Sequence, residues 1–173
     1  MIKNPGNKSF KFIIHHSSFI VHKSAGFTLI EISIVVSILA MLTTVGIASF
    51  VNYSRSQALQ SAAYDLKTSL NLAKSRSFSQ VKPTSCGNQT LDGYKVAIYT
   101  TSNSYELTAL CAGNVYVVKS TAFPSNIVIS ADSTSTSFFF PVISGGVVGS
   151  GSAILTGFGQ TRTITVDSIG TVK

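Results

Sequence analysis

The longest apolar stretch of the chain, residues 27–51, is long enough to cross a bilayer as a helix. A lysine-bearing leader precedes it, and a single acidic residue, Glu31, lies near its start. A charge on an isolated membrane helix costs about 2.5–3.5 kcal/mol to insert at the centre. Because packing does not explain such a charge, Glu31 indicates a partner or a mechanism.

The helical pattern continues beyond the apolar run. Residues 52–80 contain no Pro or Gly, and small or apolar side chains recur there at steps of three and four. These positions are Leu59, Ala62, Ala63, Leu66, Leu70 and Ala73. They predict an amphipathic continuation of the helix over 52–82 that packs on a domain, with Pro83 as the latest stop.

From residue 83 the pattern changes to that of strands. Residues 93–100 alternate in the manner of a half-buried strand, and six further segments follow at 105–112, 115–123, 126–131, 137–142, 153–158 and 162–167. Short connections rich in Ser, Asn and Gly favour antiparallel hairpins. A turn at 168–170 is expected to return 171–173 beside the last strand. The predicted fold class is α+β, with a long N-terminal helix, transmembrane then amphipathic, packed on an antiparallel β-sheet domain at 83–173.

Three consecutive aromatic residues, Phe138 to Phe140, lie in one predicted strand. Since neighbouring side chains of a strand point to opposite faces, at least one must face away from a one-sided core. Burial in the core on both faces is the favoured interpretation, and a contact with another subunit is the alternative.

The N-terminal segment admits two general interpretations. A secretory signal peptide needs an apolar region of about 7–15 residues, and this run is longer and contains an acid. An ordinary membrane anchor explains the length, and the four lysines of the leader favour a cytoplasmic N-terminus. It does not explain the order of residues 26–31.

That order, Gly26-Phe27-Thr28-Leu29-Ile30-Glu31, resembles the processing motif of type IV prepilins and type II secretion pseudopilins. The resemblance implies that prepilin peptidase, a membrane enzyme, cuts between Gly26 and Phe27, removes the leader 1–26 and N-methylates Phe27. It also implies that Glu31 acts in assembly by pairing with the N-terminal amine of a neighbouring subunit. Opposite charges attract strongly in a low-dielectric bundle, whereas a lone charge there is costly. The alternative is a Glu31 carboxylate that snorkels to the headgroups.

Composition argues against catalysis and metal or cofactor binding. His15, His16 and His22 all lie in the leader, so the processed chain would lack the usual general base and the commonest metal ligand. Its carboxylates are scattered, and the glycines at 145–151 match no phosphate-binding motif and favour a flexible turn. We therefore expect no enzyme activity, no cofactor and no metal.

The two cysteines, Cys86 and Cys111, both follow the membrane segment. In an exported domain such a pair predicts a disulfide, which would tie the helix-to-sheet connection onto the sheet. Two reduced, buried thiols are the alternative.

A long helix followed by antiparallel strands is the pilin architecture. The aromatic strand with its proline, the glycine-rich stretch and the paired ending (RTITVDSIGTVK) resemble the minor pseudopilin H/FimT group. The resemblance implies a structural subunit of a type IV pilus or type II secretion pseudopilus, active in protein secretion or a related process. It would be a single-pass protein of the cytoplasmic (inner) membrane with its C-terminal domain outside, and would enter a periplasmic or extracellular filament. Its partners would be prepilin peptidase, other pilin subunits and the membrane.

The alternative function is DNA uptake, in which basic residues of the C-terminal region hold phosphates. Only 11% of residues are charged, and the processed chain would keep nine Lys and Arg against six Asp and Glu, which is short of a nucleic-acid-binding composition. The candidate DNA-binding residues are Arg162 and Lys173, with Lys95 and Lys119 as weaker ones. A tethered adhesin or enzyme is a third class, for which the sequence shows no pocket.

Overall fold

The computed structural model describes residues 26–173, so the leader up to residue 25 lies outside the described residues. The described chain consists of one long helix, α1 (Leu29–Phe78), a short 3₁₀ turn at Thr84–Cys86, and seven strands. The strands are β1 (Leu91–Tyr99), β2 (Ser104–Cys111), β3 (Asn114–Ala122), β4 (Ile127–Ile129), β5 (Ser137–Pro141), β6 (Gly151–Gly157) and β7 (Gln160–Val166). This is the predicted α+β architecture, and each predicted strand is present.

The chain divides into two units, one ending at Thr43 and one beginning at Thr44. In the first unit, the helical residues from Leu29 to Thr43 are all exposed to their surroundings. The second unit contains the rest of α1 and all of the strands, and it has the hydrophobic core.

The strands of the second unit form two antiparallel sheets. One has the order β3-β2-β1-β5 and the other the order β4-β6-β7. The short connections predict antiparallel hairpins between consecutive strands, and of these the β1–β2, β2–β3 and β6–β7 pairs form. Strand β5 instead crosses back to β1, and β4 pairs with β6, so the strands form two sheets. The expected return of the chain beside the last strand is confirmed by a bridge between Val166 and Val172.

The core lies between the apolar stripe of α1 and the inner faces of the two sheets. Leu59, Leu66, Leu70 and Ala73 are fully buried, which confirms the predicted stripe. Both sheets contribute to the same cluster, through side chains such as Tyr94 and Leu107 from one and Leu155, Ile164 and Val166 from the other. Burying apolar side chains of this size is the main favourable term in folding.

α1 ends at Phe78, five residues before Pro83, because a C-terminal capping motif ends the helix there. Gln80 has φ 51°, its N–H bonds to the Ser77 carbonyl at 3.2 Å, and the Val81 N–H bonds to the Arg76 carbonyl at 3.0 Å. This is the Schellman pattern, with glutamine at the left-handed position that glycine usually takes. The Ser77 hydroxyl then donates to the Phe140 carbonyl and fastens the last turn to β5.

The aromatic strand β5 is buried on one face and half-buried on the other. Phe138 and Phe140 are in the core, whereas Phe139 faces outward. Its ring lies over Gly93 of β1, where an added Cβ would come within 2.8 Å of the ring and 2.3 Å of the Phe140 carbonyl oxygen. The glycine is therefore required by close packing, and it gives Phe139 a place on the outer face.

Candidate functional site

The Gly26–Phe27 junction lies in backbone that is not helical. The helix begins at Leu29, and residues 26–28 have no regular structure. Both Gly26 and Phe27 are exposed, Phe27 by 77%, and apart from Gly26 and its chain neighbours no described residue has an atom within 4 Å of a Cβ built on Gly26. Since a helical peptide bond must unwind before a protease can hold it extended, this geometry leaves the predicted bond accessible to cleavage.

Thr28 is the capping residue of α1. Its hydroxyl oxygen accepts the Glu31 N–H at 3.3 Å, and its carbonyl accepts the Ile32 N–H at 3.2 Å. A threonine followed three residues later by glutamate is the sequence of a capping box. Glu31 also carries its negative charge in the first turn, where the helix dipole favours an anion. The motif therefore specifies where the helix starts as well as where the predicted cut falls.

The Glu31 carboxylate is available for a partner outside the described chain. Glu31 is exposed, and within residues 26–173 no hydrogen bond or ion pair engages its carboxylate. The surrounding apolar side chains are exposed too, for example Leu29 by 92% and Ile30 by 68%. A carboxylate surrounded by apolar surface favours a cationic partner over isolation in lipid.

The hydroxyl groups of Ser33, Ser37 and Thr43 are satisfied within the helix. The Ser33 hydroxyl donates to the Ile30 carbonyl at 2.8 Å, the Ser37 hydroxyl to the Ser33 carbonyl at 2.7 Å, and the Thr43 hydroxyl to the Leu39 carbonyl. Such bonds let hydroxyl groups enter an apolar medium without an unsatisfied donor. Among the described residues, α1 is the one helix long and apolar enough to cross a membrane.

Cys86 and Cys111 form a disulfide, as the sequence predicts, with their Cα atoms 5.9 Å apart. Cys86 ends the 3₁₀ turn after α1, and Cys111 is the last residue of β2. Both are buried. The disulfide joins the helix-to-sheet connection to the end of a central strand.

Arg162 and Lys173, the candidate DNA-binding residues, line one groove of about 200 Å³. The groove runs between α1 and β7, and the helix contributes Tyr64 and Lys67 to it. Lys173 is held there because its backbone exchanges two hydrogen bonds with Thr165 of β7, at 2.9 and 3.2 Å. Three cationic side chains and one exposed tyrosine therefore line the same surface.

The weaker candidates Lys95 and Lys119 are not part of this groove. Lys95 lies on β1 and Lys119 on β3, both in the other sheet. The sequence pattern missed Lys67 and Tyr64, which are about a hundred positions from Arg162 and look like ordinary solvated residues of an amphipathic helix. Both lie outside the buried positions of the helix stripe, and no further signal in the sequence pairs them with Arg162.

Within residues 26–173 no group of three or more His, Cys, Asp or Glu side chains is close enough together to hold a metal ion. A second cavity, of about 440 Å³, lies where α1 leads into β1 and is lined by polar side chains with Leu91, Val142 and Ile143. Neither described cavity brings carboxylates together.

Residues 21–47 match the family model of the prokaryotic N-terminal methylation motif. The matched range contains the hexapeptide 26–31 and most of the apolar run, and it is consistent with a type IV pilin-like protein. No curated protein and no solved structure matches the chain. The motif implies processing by prepilin peptidase and assembly with other pilin subunits, and together with the apolar helix it indicates a membrane-anchored protein.

Proposed function

We propose that this protein is a pilin-like structural subunit, a minor pilin or pseudopilin, without enzyme activity. Prepilin peptidase cuts it after Gly26 and methylates Phe27. The processed chain then enters a type IV pilus or a type II secretion pseudopilus through its apolar helix. The observation that carries the proposal is the methylation motif at residues 21–47 together with an exposed, non-helical junction at the cleavage position.

Two further observations support this role. The helical residues 29–43 expose apolar side chains along their whole length, which requires lipid or neighbouring helices. The Cys86–Cys111 disulfide favours an oxidising compartment for the C-terminal domain. With the lysines of the leader in the cytoplasm, the chain would cross the inner membrane once and place that domain outside.

Mass spectrometry of the mature N-terminus tests the proposal. The expected result is a chain that starts at N-methylated Phe27, whereas an intact Met1 or a start at Ser49 would refute it. Gly26→Leu should block processing because the bulky side chain occupies the position before the cut. Gly46→Ala is the matched control, since a Cβ at Gly46 meets no atom within 4 Å and helix propensity favours alanine.

A second candidate function, a DNA-uptake minor pilin, is favoured by the basic groove. Lys67, Arg162 and Lys173 offer three positive charges to phosphates, and the exposed ring of Tyr64 is available for stacking on a base. Three phosphate contacts predict that affinity falls roughly 20- to 40-fold between 50 and 200 mM salt.

Fluorescence anisotropy with a labelled oligonucleotide, at several salt concentrations, tests this candidate. Arg162→Ala combined with Lys173→Ala should weaken binding and flatten its dependence on salt. Lys95→Ala combined with Lys119→Ala removes the same charge outside the groove and should leave both nearly unchanged. Absence of binding by the unmodified chain at low salt excludes the DNA-uptake role and leaves the structural role untouched.

A further inference from the structure

The β6–β7 hairpin runs along α1, and contacts at both of its ends fix its direction. At its tip, the Arg55 guanidinium of α1 lies 5.7 Å from the centre of the Phe158 ring. Beyond the end of β7, the Lys74 ammonium of α1 donates to the Ile169 carbonyl at 3.3 Å. Arg55 precedes Lys74 by 19 positions, which is about 28 Å of helix. The tip of the hairpin therefore points toward the end of α1 that carries the apolar run.

The tip lies just beyond the apolar run of α1. That run stops at Val51, and Arg55 follows four positions later, about 6 Å farther along the helix. The headgroup layer on each side of a bilayer is about 5–8 Å thick. When α1 is anchored through the apolar run, Phe158 therefore lies at the level of the headgroups. Val51, Arg55 and Phe158 all belong to the unit that begins at Thr44.

Phe158 occupies a position in the turn that suits few residue types. Gly157 pairs with Gln160, so Phe158 and Gly159 form a two-residue loop, with φ values of 54° and 74°. Positive φ at both positions is the type I′ pattern, in which asparagine, aspartate or glycine is usual at the first position. A phenylalanine there is strained, and such strain is typical of positions whose side chain has a function. Arg55 covers part of the ring, and 37% of the side chain remains exposed.

Two further side chains at this level suit a membrane surface. Tyr53, exposed by 64%, lies on the opposite side of α1 from Arg55, because each residue turns the helix by about 100°. Tyrosine is enriched at membrane interfaces, where its ring meets apolar groups and its hydroxyl stays hydrated. Arg55 is exposed, and no carboxylate of residues 26–173 forms an ion pair with it, so its guanidinium is available to lipid phosphates.

The two connections beside the tip carry no charged side chain. Ile127 of β4 pairs with Gly157, and the Asn103 side-chain amide donates to the Ile127 carbonyl at 2.8 Å. The connections at 100–103 and 123–126 therefore adjoin the tip. Their sequences, TTSN and FPSN, contain no Asp, Glu, Lys or Arg. Hydroxyl and amide groups stay hydrated among headgroups, whereas lipid phosphates would repel a carboxylate.

We propose that the β6–β7 tip, with Phe158 at its apex, inserts into the headgroup layer of the membrane in which α1 is anchored. The Phe158 ring reaches the boundary with the acyl chains, as the apolar side of an interfacial segment does, and Arg55 binds lipid phosphates beside it. This contact holds the C-terminal domain against the membrane surface. It requires the membrane anchor, but it does not depend on the kind of filament that the chain enters.

Tryptophan fluorescence of the full chain in lipid nanodiscs tests the position of the tip. The chain contains no tryptophan, so an introduced one reports its own surroundings. The nanodiscs contain phosphatidylcholine, phosphatidylglycerol and a lipid with a nitroxide on its headgroup. Phe158→Trp should be quenched by the nitroxide lipid and protected from iodide in the water. Phe78→Trp is the matched control, because Phe78 is an exposed aromatic residue at the far end of α1, and it should be quenched by iodide alone.

A label on a neighbouring connection tests whether Phe158 holds the domain at the membrane. Ser125 is exposed, and both natural cysteines are in the disulfide, so Ser125→Cys accepts a polar bimane label. The nitroxide lipid should quench the label. Phe158→Asn should remove most of that quenching, because asparagine suits the turn but does not insert. Ile143→Asn is the matched control and should leave the quenching unchanged, since Ile143 is also apolar, exposed and at positive φ, but lies near the other end of α1.

Four results would overturn the proposal. Quenching of Phe158→Trp by iodide and not by the lipid would place the tip in water. Protection from both quenchers would mean that a protein covers the tip. A bimane label that the lipid does not quench would mean that the domain stands away from the membrane. An effect of Phe158→Asn no larger than that of Ile143→Asn would mean that Phe158 does not hold it there.

Discussion

Tyr94 shows how one buried polar group joins the end of the helix to the sheet. Its side chain is fully buried, and its hydroxyl donates to the Val81 carbonyl at 2.5 Å, just after the helix ends. Burial raises the pKa of Tyr94 above its ordinary value of 10.0, although the nearby Arg76 acts in the opposite direction. The neutral phenol is thus the form that the folded state favours.

This shift predicts that stability falls in alkaline solution. Above pH 10 the unfolded chain loses the Tyr94 proton while the folded chain keeps it, so the free energy of unfolding decreases as pH rises from 10.0 through the raised pKa. Tyr94→Phe should cost about 1 kcal/mol at neutral pH through the lost hydrogen bond and should flatten the alkaline decrease. Urea unfolding of the full chain in detergent between pH 7 and 11.5 measures both effects.

Tyr99→Phe is the matched control for this measurement. Tyr99 also has a raised pKa, through desolvation and the neighbouring Glu106, but its side chain is 43% exposed and it makes no bond to the helix end. Its removal should change neutral stability by less than about 0.5 kcal/mol. An equal effect of the two substitutions would contradict the role assigned to Tyr94.

At the scale of single residues, the sequence predicts the face of a strand on which a side chain lies better than it predicts the groups to which that side chain bonds. The alternation in 93–100 places Tyr94, Val96 and Ile98 on one face, and all three are buried. It contains no sign of the bond from Tyr94 to Val81, which depends on a left-handed glutamine that ends the helix early. Such backbone conformations are fixed by tertiary contacts, and glutamine gives no turn signal comparable to glycine.

At the scale of elements, local periodicity predicts where the helix and the strands are. It does not predict which strands pair with each other in the two sheets. Short connections predict antiparallel hairpins between consecutive strands, and three such pairs form, whereas β3 and β4, which are also joined by a short connection, do not pair. The β1–β5 and β4–β6 pairs join strands separated by intervening elements, and both depend on how the inner faces cover the same helix stripe. No local pattern encodes that choice, which is why the split into two sheets was not predicted.

The disulfide is an element-scale restraint with a measurable effect. It closes a loop of 25 residues, for which the chain-entropy model gives about 3–4 kcal/mol of stabilisation. Cys86→Ala combined with Cys111→Ala should lower the free energy of unfolding by about that amount. The alanines avoid placing an unpaired hydroxyl in the core. Urea unfolding of the double variant, beside the unmodified chain with and without reductant, provides the measurement.

Reduction of the unmodified chain and the double substitution should agree to within about 1 kcal/mol, since both remove the same restraint. A loss below about 1 kcal/mol in the double variant would mean that the helix-to-sheet connection is held by packing alone, for example by the Ser77 and Tyr94 bonds.

At the scale of the whole molecule, the processing residues could be predicted from the sequence more completely than the residues that line the groove. Gly26, Phe27 and Glu31 lie within six consecutive positions, so the motif and the start of the helix are encoded together. The groove joins residues 60–67 of α1 to residues 162–173, and only the folded domain brings them together. Sequence reasoning therefore found Arg162 and Lys173 but not their helical partners.

Substitution of Glu31 tests whether its carboxylate is needed for assembly with other subunits. Glu31→Ala should leave cleavage and methylation intact, because the Gly26–Phe27 junction is unchanged and exposed. Assembly should fall more than about tenfold, since the partner's amine would remain as an unpaired charge in apolar surroundings, at a cost of about 3–5 kcal/mol. The measurement is the amount of processed chain in sheared filaments relative to the membrane fraction. Glu31→Gln keeps the shape and removes the charge, so it should fail equally, whereas a Gln variant that assembles normally would assign the residue to helix capping and contradict the charge pair.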